Sequence, residues 1–185
     1  MDKKRIFAAG LSASAALLVA LAVHEDYRGR AYLPTPQDRP TVGFGSTRRA
    51  DGTPVRTGDT TTPVRALIQL HRDLTATEDA LHQCLGDVPL YQREWDAYVS
   101  LAYNVGPAAV CASSIPAKLR AGDYAAACKT LLEFNQQCWR DKAGVRHCKV
   151  LPGLVKRRQA EYALCMSPAP ASSTPSASTP SPATP

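Results

Sequence analysis

The chain has 185 residues, 44% hydrophobic and only 6% aromatic, with 22 Lys+Arg against 16 Asp+Glu. That length suits one compact domain, and the composition excludes wholesale disorder, a collagen-like repeat and a polytopic membrane protein. A net charge of +6 suits an acidic polymer or an anionic membrane surface as partner, or simply a soluble basic surface.

Three cations, Lys3, Lys4 and Arg5, precede an uncharged apolar run of 18 residues, 6–23. Seven of these are Ala, two Ser and one Gly, so a helix here is only weakly hydrophobic. Two readings stand. The run is a secretory signal, with Ala20-Leu21-Ala22 as a small-residue cleavage site. Alternatively it is an uncleaved transmembrane helix whose span of about 27 Å falls just under the bilayer core. The positive-inside rule then holds Lys3–Arg5 in the cytoplasm. Either way the body is delivered to the periplasm or beyond. The domains are therefore a signal-anchor segment over 1–23, a body over 24–165 and a tail over 166–185. From 167 the tail contains only Ser, Pro, Ala and Thr, a composition that predicts disorder.

Within the body, 31–56 holds Gly, Pro and Thr around a β-type stretch, Pro40–Gly45, and predicts a small hairpin. Thr62-Pro63 pairs a capping residue with a first-position proline. Leu67, Leu70, Leu74, Leu81 and Leu85 then recur at helical spacing. A second helix is predicted from about Leu90 to Val105, closed by Gly106. A short one over Ile115–Ala121 ends at Gly122, Asp123 caps another through about Asn135, and Pro152 begins a last helix reaching Cys165. The class is α+β and mainly helical.

Six cysteines (Cys84, Cys111, Cys128, Cys138, Cys148 and Cys165) lack the Cys-x-x-Cys pairs of a zinc site. They predict disulfides formed in an oxidising compartment. His71, His82 and His147 show no ligand spacing with carboxylates, so neither a metal nor any other cofactor is expected.

The richest stretch is His24-Glu25-Asp26-Tyr27-Arg28-Gly29-Arg30-Ala31-Tyr32, followed by Thr41 and Gly43-Phe44-Gly45-Ser46-Thr47. A carboxyl group at the carbonyl end of an apolar helix is partly desolvated and unfavourably placed as an anion, which suits a proton donor. The plainer reading of Glu25 is a surface residue, alone or paired with Arg28 or Arg30. His24 either tunes Glu25 or is incidental. Gly43-x-Gly45 marks a tight bend and, without a following Lys-Ser/Thr, is not a phosphate loop. Trp95, Tyr98 and Tyr103 read as core. Lys156, Arg157 and Arg158 read as a solvated basic face, or as a patch for an acidic partner. Asn104 either caps its helix or faces a cleft.

Taken together, Glu25, Arg28, Ala31-Tyr32, Thr41, Gly43 and Gly45 resemble, in order, the early motif of the phage lysozyme (endolysin) family, glycoside hydrolase family 24. Trp95-Asp96-Ala97-Tyr98-Val99-Ser100-Leu101-Ala102-Tyr103-Asn104-Val105-Gly106 is similar to a second family motif. Leu151-Pro152-Gly153-Leu154-Val155-Lys156-Arg157-Arg158-Gln159-Ala160-Glu161 is similar to a third. The resemblance covers about 20–165 and implies a lysozyme-like fold. It also implies a muramidase that hydrolyses the β-1,4 bond between N-acetylmuramic acid and N-acetylglucosamine, for host lysis by a phage or prophage. Peptidoglycan is then the partner, nucleic acid is not, and a monomer is expected.

On that resemblance Glu25 is the general acid, and a carboxylate and a Thr hold the attacking water opposite it. The family's Asp, nine residues after the Glu, is Pro34 here. Asp38 is the nearest candidate to replace it, with Thr35 as fallback; Asp38 also reads as a plain turn residue. Thr41 keeps its place before the Gly-x-Gly turn. Asp26 stands where the family has Gly, and Ser46 where it has His. Tyr32, Gly43 and Asn104 are candidate substrate-binding residues. A lytic transglycosylase using Glu25 alone, and a non-catalytic wall-binding or lysis-regulating relative, are the alternatives.

Some endolysins carry an uncleaved signal-arrest-release segment, and residues 6–23 are similar to one. In the bilayer it pins Glu25 at the membrane surface. After release to the periplasm it packs into the domain and brings Glu25 into place. No Cys lies in 1–23, so the six cysteines are expected to be structural staples, paired Cys111–Cys128, Cys138–Cys148 and Cys84–Cys165.

Overall fold

The structure is a computed structural model and describes residues 5–34 and 38–168. Thr35 and most of the predicted disordered tail lie outside the described residues.

The apolar run 6–23 does not form one helix. It divides into strand β1 (Ile6–Phe7), a 3-10 turn (Ala8–Gly10) and helix α1 (Ala15–Glu25). Ser14 starts the helix by accepting the Leu17 N–H at 3.1 Å, satisfying one orphan donor of its first turn. Leu17 and Leu21, four apart, share the face that α1 buries, while Ala8 and Leu11 enter the same core. Val19 and Val23, on the opposite side, are exposed. Among the described residues no helix is long and apolar enough to cross a membrane.

Strands β2 (Arg28–Tyr32) and β3 (Thr41–Gly43) form the predicted early hairpin, antiparallel, with Arg28 opposite Gly43 and Tyr32 opposite Thr41. Helix α2 (Pro63–Leu85) follows, with Thr62 as its cap and Pro63 in its first turn. Leu70, Leu74, Leu81 and Leu85 are buried as predicted, but Leu67 is 41% exposed. At this end of α2 the small residue Ala66 faces β3, so its neighbour Leu67 turns outward.

The short strand β4 (Pro89–Leu90) pairs with β1, placing Ile6 opposite Leu90. Helix α3 (Gln92–Val105) lies at the centre, with Trp95, Ala97, Tyr98, Val99, Leu101 and Ala102 fully buried. Gly106, at φ 88°, ends it. Helices α4 (Pro107–Cys111), α5 (Ile115–Arg120) and α6 (Tyr124–Thr130) surround it. A hairpin of β5 (Gln136–Arg140) and β6 (Arg146–Val150) then leads into α7 (Pro152–Met166), which packs along α3. No apolar alternation in the sequence marks this second hairpin, whose strand residues are all exposed.

All six cysteines are paired, and Cys138–Cys148 is bonded as expected. The other two expected pairs are corrected to Cys84–Cys111 and Cys128–Cys165. The helix packing decides the exchange. Cys84 ends α2 beside α4, which carries Cys111, whereas α6 presents Cys128 to Cys165 of α7. The Cα separations are 5.7 and 5.8 Å, within the range a disulfide spans.

Candidate active site

Glu25 is the last residue of α1, at the point where the chain leaves the helix for the β2–β3 hairpin. Its side chain is 22% exposed. Neither Arg28 nor Arg30 pairs with it; Arg28 meets Asp26 at 3.4 Å instead. The partner of Glu25 is Arg157 on α7, whose Nη1 donates to Oε1 at 2.7 Å. Glu25 Oε2 faces Gly45. A Cβ on that glycine would sit 3.3 Å from the oxygen, so its missing side chain keeps the carboxylate open.

Arg157 and Arg158 are therefore not a solvated face: they are 8% and 0% exposed. Both bind Glu161, Arg157 Nε at 3.3 Å and Arg158 Nε at 2.9 Å, and Ser100 Oγ donates to Glu161 at 2.7 Å. Burial pushes the Glu161 carboxyl above its ordinary range, against the two guanidinium groups that favour its charge. The His24 imidazole is held below its ordinary value, first by desolvation and then by the Arg157 charge. The i, i+3 and i, i+4 spacing of Arg158 and Arg157 to Glu161 was visible in the sequence. What they reach across the fold was not.

Tyr103 is part of the site wall. Its hydroxyl donates to the Phe44 carbonyl at 2.9 Å, fixing the Gly43–Gly45 bend against α3. Burial, aided by the charges of Asp73 and Glu25, raises its phenol well above the ordinary range. Trp95 and Tyr98 are core residues, as read. Ser46, buried at the end of the same bend, donates to Asp73 Oδ2 on α2 at 2.6 Å, and Gln69 donates to Oδ1 at 2.8 Å. The Ser–Asp contact thus ties the hairpin to α2.

Thr41 is buried on β3, and its Oγ1 has no hydrogen-bond partner among the described residues. Asp38 is exposed in the β2–β3 connection. Tyr32 is 40% exposed, at the end of β2 and opposite Thr41. Gly43, at φ 69°, packs so closely on α2 that a Cβ would lie 2.9 Å from that of Ala66, which accounts for the glycine by packing. Asn104 neither caps α3, a role taken by Gly106, nor stands free: its Oδ1 accepts from Arg158 Nη2 at 3.0 Å.

This arrangement puts one carboxylate, oriented by a buried guanidinium, beside a glycine bend. The phage lysozyme family profile matches residues 22–161. An endolysin of Acyrthosiphon pisum secondary endosymbiont phage 1 is 34% identical over 80% of this chain and 92% of its own length. A SAR-endolysin of Pseudomonas phage phiKMV is 32% identical over 90% and 94%. Among solved structures, the endolysin from Escherichia coli O157:H7 phage FAHEc1 superposes with a TM-score of 0.73 at 27% identity, covering 85% of this chain and 94% of that one. The chain belongs to the phage lysozyme family.

Proposed function

We propose that this protein is an endolysin: a glycoside hydrolase that cleaves the β-1,4 bond between N-acetylmuramic acid and N-acetylglucosamine and lyses the phage's host. The observation that carries the reading is the Glu25–Arg157 contact at 2.7 Å. A general acid needs a fixed position. The guanidinium fixes one oxygen while the glycine bend leaves the other open to a leaving group. Glu25 protonates the glycosidic oxygen. The Thr41 hydroxyl, buried and without a hydrogen-bond partner among the described residues, holds the attacking water with help from Asp38, and Tyr32 and Asn104 flank the sugar chain. Leaving an inner hydroxyl unpaired costs about 1–3 kcal/mol, which a bound water offsets.

The test is solubilisation of purified peptidoglycan sacculi by the wild type and by Glu25→Gln. Loss of activity in the variant, with an unchanged fold, supports the assignment; equal activity overturns it. Pro34 at the family's Asp position favours one alternative, the transglycosylase. Its products carry a 1,6-anhydro end, whereas a hydrolase leaves a reducing sugar, and mass spectrometry of the digest separates the two.

The likeness to a SAR-endolysin over 90% of the chain supports a life in two places. Residues 6–23 first hold the protein in the host inner membrane with the body periplasmic. The fold described above is then the released, periplasmic state. Intact mass tests this: active soluble protein keeps the residues before Val23, whereas ordinary secretion yields a chain beginning there.

A further inference from the structure

The β5–β6 hairpin serves neither the core nor Glu25. All ten strand residues are exposed, and the Cys138–Cys148 bond staples the strands face to face. Such a ribbon projects about 17 Å and keeps its shape without a core. Its cations are Arg140, Lys142, Arg146 and Lys149, against one acid, Asp141. That acid is already engaged: it accepts from the Ala143 and Val145 N–H groups and meets His147 Nε2 at 2.8 Å. Arg140 and Arg146 lie directly opposite each other, a like-charge pairing that destabilises an isolated ribbon. Among the described residues neither meets a carboxylate: Arg140 donates to the Gly144 carbonyl and Arg146 to Cys138 Sγ.

Apolar surface accompanies the charge. Trp139 is 51% exposed, stacked 5.6 Å from His147, and Val145 at the turn is 53% exposed. The strand alternation distributes both chemistries over the two faces. Trp139, Val145 and Lys149 stand on one face of the ribbon, and Arg140, Arg146 and Val150 on the other. A single extended ligand lying along one face reaches either Trp139 or the Arg140–Arg146 pair, not both. A surface into which the tip dips reaches both.

We infer that the tip of this hairpin docks on an anionic phospholipid leaflet, with Trp139 and Val145 at the headgroup level and Arg140, Lys142 and Arg146 on the phosphates. Tryptophan with flanking cations is the interfacial pattern of membrane-bound proteins. This contact is separate from residues 6–23, which are folded into the domain in this state, and it does not depend on the catalytic assignment.

The test is co-sedimentation of the full-length protein with phosphatidylethanolamine–phosphatidylglycerol vesicles, alongside phosphatidylcholine vesicles and purified sacculi. Binding to the anionic vesicles is expected to fall about tenfold or more in Arg140→Glu/Arg146→Glu, and several-fold in Trp139→Ala. Sacculus hydrolysis stays as in the wild type, which shows that the variants fold. Trp139 emission should shift to the blue on anionic vesicles in the wild type and lose that shift in Trp139→Ala, since Trp95 is fully buried. Wild-type vesicle binding in both variants overturns the inference. So does a charge-reversal loss seen on sacculi but not on vesicles, which reassigns the hairpin to the wall.

Discussion

Arg157 Nη1 lies 2.7 Å from Glu25 Oε1, joining residues 132 positions apart, and Arg157 Nε lies 3.3 Å from Glu161 Oε1. One nearly buried guanidinium therefore binds two carboxylates, one on its own helix and one at the end of α1. Removing it leaves Glu161 buried with one cation fewer and frees the Glu25 side chain to rotate. Breaking a buried ion pair from one side costs about 3–5 kcal/mol.

Arg157→Ala is accordingly expected to lower the denaturation midpoint and to reduce sacculus hydrolysis about tenfold or more even where it is fully folded. Arg157→Lys keeps the charge without the fork and should recover more stability than activity. Urea titrations and turnover at matched fractions folded check both points. Wild-type turnover in Arg157→Ala removes the guanidinium from the orientation of Glu25.

Asp26 is the one described residue other than glycine with a positive φ, 58°, at ψ 151°. Only glycine occupies that region freely, and a side chain there costs about 1–3 kcal/mol. The sharp exit from α1 that aims the chain into β2 demands it. The contacts Asp26 makes, to its neighbour's N–H and to exposed Arg28 at 3.4 Å, are too weak to offset the strain. Asp26→Gly should therefore stabilise the domain by about 1 kcal/mol after its own unfolded-state entropy is counted, read as a higher midpoint in thermal unfolding. A lower midpoint means that the aspartate contacts outweigh the strain.

The helices were legible because their signals are local. Thr62-Pro63, Gly106, Asp123 and Pro152 act on their own turn whatever lies around them. Glu25 stands out as a candidate through the ordered motif in which it lies. Arg157 as its partner does not, because that contact depends on how α7 lies against the end of α1. The same holds for Cys84 and Cys165, whose partners are set by which helices become neighbours. The β5–β6 hairpin escaped for a different reason. With every strand residue exposed, no apolar alternation marks it, and its cysteines were read only as staples.

The Arg49–Asp59 pair sets an acid limit on the β subdomain. Arg49 Nε and Nη2 both donate to Asp59 at 2.7 Å, and with the Arg56 N–H they hold its carboxyl down at about 2, against an ordinary value of 3.8. The folded value is the lower one, so folding favours the charged form. This contribution is complete above the ordinary value and is lost as pH falls from about 4 toward 2. Asp59→Asn should lower the thermal midpoint at neutral pH and flatten its decline across that window. Parallel declines in both proteins exclude the pair as a source of acid sensitivity.

The amino-terminal segment is bound by the domain at both its backbone and its charge. Backbone groups of Leu11, Ser12, Ala13 and Ser14 are met in turn by His82, Gln92, Glu78 and Asp96. Arg5, one of the three cations flanking the apolar run, donates to both oxygens of the buried Glu94 at 2.8 and 3.1 Å. Its guanidinium lies 3.6 Å from the Tyr124 ring centre. Burial of Leu11, Leu17 and Leu21 contributes about 5–9 kcal/mol at roughly 1.5–3 per side chain, comparable with the whole stability of a domain of this size. A chain beginning at Val23 is therefore expected to lack cooperative unfolding and lytic activity. Arg5→Ala, which leaves Glu94 without its cation, should unfold at a lower midpoint while staying active at low temperature. Circular dichroism and sacculus hydrolysis on the three proteins decide this. A folded, lytic 23–185 chain shows that the segment is dispensable. Failure of that chain alone means that the active fold needs Leu11, Leu17 and Leu21 in its core.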